Sequence, residues 1–193
     1  MRYVIGFLVS IGLLILVFVL IFRGGGDPAP TPGAAARLVD YANTTTTVQF
    51  IDDYPVTADQ THRQSVTTVG RDEVTFSYES GYEGTVIRSQ SYANNPQAYA
   101  NFLRALQLNG FTKGENVEQL RDERGYCANG HRYIFEIKDG SRTIQRLWST
   151  SCGKIGTFQG QTAAVRSLFR KQVPDYNKLI SNSTRVSTRT TLQ

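Results

Sequence analysis

Histidine and cysteine are scarce in this chain: two of each among 193 residues, with a single tryptophan. That scarcity excludes much chemistry. The H-E-x-x-H helix of a metallohydrolase is absent. No G-x-S-x-G elbow occurs, nor S-x-x-K with its usual companions, so no activated serine can be named. The glycines build no phosphate loop. Gly24–Gly26 run into Asp27 and Pro28, and Gly153-Lys154 lacks an upstream glycine-rich turn. No cofactor and no resident metal is implied, and nothing in the sequence compels an enzyme. A one-sided charge is missing too. The formal net charge is +5, but residues 37–180 carry 17 Lys and Arg against 15 Asp and Glu. Asp52, Asp53, Asp59, Asp72 and Glu73 interleave with the arginines, so nucleic acid is not an expected partner.

What the chain does have is one long apolar run. Residues 3–22 hold no charge and suffice to cross a hydrocarbon core of about 30 Å as a helix. The run is longer than the apolar core of a cleaved leader, and the small-residue stretch Ala34–Ala36 lies well beyond Arg23. Residues 1–23 therefore read as a transmembrane signal anchor and 24–36 as a Gly/Pro/Ala linker. Residues 37–180 read as an extracytoplasmic domain, and 181–193 as a disordered Ser/Thr-rich tail. Arg2 on the short side against Arg23 and Arg37 beyond does not set orientation. The cysteines and the linker place the domain outside the cytoplasm, on a cell membrane. Gly6-x-x-x-Ser10 has the small-residue spacing that lets two such helices meet, which makes a homodimer one reading.

The expected fold class is α+β, with antiparallel hairpins and two helices packed on one face. Strands are expected at Thr45–Tyr54, Gln64–Val69, Glu73–Glu79 and Glu83–Tyr92, then at His131–Lys138 and Arg142–Ser149. Asn95 and Pro96 open a helix that Asn109-Gly110 closes, with Tyr99, Phe102, Leu103 and Leu106 forming one apolar stripe. A second helix covers Gln161–Lys171, with Ala164, Val165, Leu168 and Phe169 on one side. Thr85–Arg88 and Thr143–Arg146 are similar stretches on the return strands of two hairpins. A hairpin–helix duplication and chance both account for that match.

Cys127 and Cys152 are the candidate disulfide. If Asp139-Gly140 is the hairpin turn, Lys138 faces Ser141, and the same register sets the two cysteines opposite each other. They would share a face with Tyr133, Phe135 and Ile137, and with Ile144 and Trp148. An even cysteine count behind an anchor favours an oxidising compartment. The alternatives are two free thiols and a zinc set of Cys127, His131, Cys152 and His62, which lacks paired C-x-x-C spacing. One cationic–aromatic constellation stands out: Arg142, Arg146 and Trp148 alternate on one strand with Tyr133 expected opposite Arg146. This is a candidate ligand or surface-binding site, or simply arginine stems covering a sheet.

Three functional expectations follow. The first is a membrane-anchored binding or assembly module with a protein partner in the envelope. The second is an envelope hydrolase using His62 or His131. The third is a binder of anionic polymer or nucleic acid through Arg166, Arg170, Lys171 and the basic tail.

Overall fold

A computed structural model describes residues 37–115 and 117–181. The apolar run, the linker and the tail beyond Ser181 lie outside the described residues. Among the described residues, no helix is long and apolar enough to cross a membrane.

The order is β1 (Thr46–Asp53), β2 (Arg63–Val69), β3 (Glu73–Ser80), β4 (Thr85–Ala93), α1 (Pro96–Leu108), β5 (Arg132–Asp139), β6 (Arg142–Thr150) and α2 (Thr162–Lys171). The six strands form one antiparallel sheet in the order β4-β3-β2-β1-β5-β6. The fold is therefore α+β, and the two similar stretches lie on the two opposite edge strands.

α1 forms as its ends dictate. Asn95 Oδ1 accepts the Ala98 amide at 2.9 Å, Pro96 sits at the first turn, and Gly110 closes the helix at φ +72°. Its stripe of Tyr99, Phe102, Leu103 and Leu106 is buried against Val48, Phe50, Phe76, Phe135 and Ile137 on one sheet face. Val165 and Phe169 of α2 join the same core, with Phe102 and Phe169 edge to face at 5.2 Å between centroids.

The opposite face is covered over β5 and β6 by the irregular segment 117–126. Trp148 Nε1 donates to the Leu120 carbonyl at 2.7 Å, and the Tyr126 ring lies 5.3 Å from the Trp148 ring. Arg146 binds Glu123 through two nitrogens at 2.6 and 2.7 Å and reaches Glu136 at 3.1 Å. Burial works against ionisation of Glu123, but the Arg146 hydrogen bonds and charge outweigh it and hold this carboxyl below its ordinary range.

The β5–β6 register differs from expectation. Gly140 and Ser141 are the turn, with Asp139 facing Arg142 and Gly140 at φ +58°. Only glycine adopts that angle cheaply at the first turn position, which shifts the turn by one residue. The register then shifts again at Ile144, which has no partner between the Lys138–Thr143 and Ile137–Gln145 pairs. Cys127 and Cys152 consequently lie beyond the strand ends and not opposite each other within them.

They still form the disulfide, with Cα atoms 5.6 Å apart. Cys127 takes a positive φ of 54°, and any Cβ at Gly130 would collide with both sulfurs, so the loop closes only around glycine. The bond spans 25 residues, and its chain-entropy effect is about 3 kcal/mol. Replacing both cysteines with serine should lower the denaturation midpoint accordingly, read from the fluorescence of the lone tryptophan. An unchanged midpoint would mean the linkage does not constrain the unfolded chain.

Candidate functional site

The middle of the sheet holds two buried carboxylates on adjacent residues. β1 is central, so Asp52 and Asp53 point to opposite faces, and each finds one histidine and one arginine.

On the face away from the helices, Asp53 Oδ2 meets Arg132 at 2.8 Å, and His62 Nε2 lies 2.9 Å from Asp53 Oδ1 without hydrogen-bond alignment. Both partner side chains are 1% exposed. The Tyr82 ring stacks on His62 at 4.0 Å and seals it from solvent. Burial pushes the Asp53 carboxyl up, and the charges of Arg132 and His62 oppose that shift.

On the helix face, Asp52 Oδ1 lies 2.6 Å from His131 Nδ1, and Asp52 Oδ2 accepts from Arg170 at 3.3 Å. This group reaches the surface: His131 is 38% exposed and Arg170 40%, whereas Asp52 is 3%. One helical turn before Arg170, Arg166 lays its guanidinium 3.7 Å above the Tyr133 ring. Tyr54 and Tyr176 complete the surround, with the Tyr176 hydroxyl 3.3 Å from Ser65 Oγ. Burial holds the hydroxyls of Tyr54, Tyr133 and Tyr176 above their ordinary range, so all three keep their protons at neutral pH.

The cluster therefore offers two guanidinium groups and an imidazole on an aromatic floor, with the Asp52 carboxylate fixing His131 and Arg170 and the Tyr133 ring carrying Arg166. Asp52 orients the His131 ring through Nδ1, which turns Nε2 away from the protein. Such an arrangement can hold a carboxylate or phosphate group through charge-assisted hydrogen bonds.

The constellation expected from the sequence is dispersed. Tyr133 faces Ser149, not Arg146, and Arg146 faces Glu136. The altered register puts Tyr133 on the helix face while Arg146 and Trp148 lie on the other. Trp148 is 1% exposed beneath the covering segment and is no stacking platform, and Arg142 is exposed at the hairpin tip with Asp139 at 3.1 Å. Tyr133 does carry an arginine on its ring, but from α2. The zinc alternative is overturned: both sulfurs are bonded to each other, and His62 and His131 bind different carboxylates on opposite faces.

Asp52 and Asp53, which the sequence offers only as a carboxylate pair on opposite faces of a strand and so unfit for shared acid–base work, and Tyr54, which it does not single out, are the neighbours the structure adds to the candidate site. The available signal was two adjacent acids inside an apolar central strand, Phe50-Ile51-Asp52-Asp53, which burial obliges to find cationic partners on both faces. Arg166 and Arg170 are held by the site, and Lys171 is exposed beside them. The sequence matches no protein-family model, and no curated protein is significantly similar to it.

Proposed function

We propose that this protein is a binding module held on a membrane by residues 3–22, with its folded part outside the cytoplasm. There it captures a partner or polymer of the envelope through an anionic group, carboxylate or phosphate. One observation carries the reading: the Arg166 guanidinium stacked on Tyr133 beside Arg170 and the Asp52-bound His131, all open to solvent on one side. The disulfide suits the same compartment.

The test is a titration of the full-length protein, in detergent, with inorganic phosphate and separately with acetate, following the two histidine ring signals by NMR. The His131 signals should move in a saturable, salt-sensitive way while those of buried His62 stay fixed. Arg166→Ala should weaken the response at least tenfold, because the half-exposed guanidinium supplies charge-assisted hydrogen bonds. Larger shifts with phosphate would assign a phosphate-bearing partner, and larger shifts with acetate a carboxylate. Equal movement of both histidines, or an unaltered response in the variant, would remove the site.

The hydrolase reading retains only His131, whose 2.6 Å contact with Asp52 is the geometry of an oriented general base. Sealed under Tyr82, His62 has no access to substrate.

A further inference from the structure

The polar atom that His131 turns outward is Nε2, and the chemistry of that atom is set from the other side of the ring. Asp52 Oδ2 accepts from Arg170 at 3.3 Å, while Asp52 Oδ1 lies 2.6 Å from His131 Nδ1. A carboxylate oxygen in that position accepts and does not donate, so Nδ1 carries the ring proton. The neutral imidazole therefore has its lone pair on Nε2. The ring is held in this orientation. Its backbone N–H donates to Ser151 Oγ at 2.8 Å, and the Tyr54 and Tyr133 rings stand 5.0 and 6.0 Å from it. Among the described residues nothing hydrogen-bonds to Nε2, and the side chain is 38% exposed.

The cations beside it have the opposite character. Guanidinium nitrogens donate and never accept. Arg166 lies 3.7 Å from the centre of the Tyr133 ring, and no described residue accepts from its terminal nitrogens. Arg166 and His131 thus stand against the same ring, near enough for one small group to meet both. A bare anion satisfies the arginines but sets its own oxygen lone pairs against that of Nε2. An anion with a hydroxyl group on the neighbouring carbon satisfies both, because the hydroxyl donates to Nε2 while the anionic oxygens accept from the arginines.

We propose that the Arg166–Arg170–His131 cluster selects anions that carry such a hydroxyl, an inference that rests on the anion-binding reading of the same cluster. Hydroxy acids and the phosphodiesters of polyols have this chemistry. A site built to accept a hydrogen bond discriminates strongly against an analogue that has none to give. Protonation of the imidazole reverses its role: Nε2 becomes a donor to the anion itself, and the hydroxyl requirement lapses. The groups facing the ring are Asp52 of β1, Tyr54 just after it, Tyr133 of β5 and Arg170 of α2, with Arg166 one turn away. Both tyrosine hydroxyls keep their protons at neutral pH.

The experiment titrates the full-length protein, in detergent and with its histidine rings labelled with nitrogen-15, against two pairs of probes. One pair is acetate and glycolate, the other dimethyl phosphate and methyl 2-hydroxyethyl phosphate. Members of a pair share their charge and differ in the hydroxyl. While the His131 ring nitrogens report a neutral imidazole protonated on Nδ1, the hydroxyl-bearing member should bind about tenfold more tightly. Once those signals report an imidazolium, both phosphodiesters should bind more tightly than before and equally well. His131→Phe should abolish the preference within each pair. That ratio separates selection from a purely structural role, which would weaken both members alike. The pair with the larger preference assigns the carboxylate or the phosphodiester class.

The comparison of protonation states in the unaltered protein is decisive even if the phenylalanine variant does not fold. Saturable binding with equal affinity inside both pairs, at neutral imidazole, overturns the selection and leaves the anion site standing. A neutral ring carrying its proton on Nε2 does the same. Binding of none of the four probes removes the site and the selection together.

Discussion

Asp53→Ala is expected to unfold at markedly lower denaturant than the parent, losing about 3–5 kcal/mol of stability, the usual effect of removing one member of a buried ion pair. The size follows from what is left behind. Arg132 and His62 are each 1% exposed, and without the carboxylate the Arg132 guanidinium keeps, among the described residues, only the Tyr54 carbonyl at 3.1 Å. An uncompensated cation in that setting costs far more than a lost contact. Asp52→Ala should cost less, because His131 and Arg170 are each more than a third exposed and water can solvate them. The pair of variants thus forms an internal comparison, read from urea midpoints by tryptophan fluorescence. Asp53→Ala combined with Arg132→Met should recover part of the loss by removing the stranded charge. Equal midpoints for Asp52→Ala and Asp53→Ala would refute the burial argument.

Trp148→Ala should match the first effect in size by a different route, losing about 3–5 kcal/mol through the cavity left by a large buried aromatic. Trp148 is 1% exposed and ties the covering segment to the sheet through the Leu120 carbonyl and the Tyr126 ring. Its removal empties the space beneath residues 117–126 and frees the Leu120 carbonyl. Since the reporter itself is lost, far-ultraviolet circular dichroism follows the melt. Trp148→Phe keeps most of the volume and loses only the indole donor, so it should cost roughly 1–2 kcal/mol. Should the alanine variant melt within a degree of the parent, the covering segment would contribute nothing to the fold. Proteolysis adds a second readout, with cleavage near Arg121 and Arg124 rising sharply in the alanine variant.

Much of the fold was legible because local rules carried it. The α1 stripe repeats at helical spacing between a capping asparagine and a closing glycine, and those features agree with the tertiary demand for an apolar face. Strand boundaries came within a residue or two for the same reason, since turn residues punctuate alternating apolar runs. The β5–β6 register was not legible: Asp139-Gly140 and Gly140-Ser141 are competing turns, and the choice between them slides every later pair by two residues while leaving the faces unchanged. The unpartnered Ile144 is what sends the later β6 side chains to the other face, and nothing periodic in the sequence announces it. The covering segment 117–126 was equally silent, being irregular backbone defined by Trp148, Arg146 and Glu136 on distant strands. The candidate site failed for a related reason. Asp52 meets Arg170 across 118 positions and His131 across 79, so no spacing motif joins them.

Adjacent carboxylates on a central strand also act as a proofreading device during folding. Were β1 to pair one step out of place, one acid would fall where the other belongs, so one face would keep a carboxylate and the other would lose it, leaving either Arg132 and His62 or His131 and Arg170 without their partner. Phe50 would turn outward in the same movement. Each such slip is penalised twice, by stranded cations on one face and by the loss of Phe50 from the apolar interior on the other, which favours the observed alignment of this central strand.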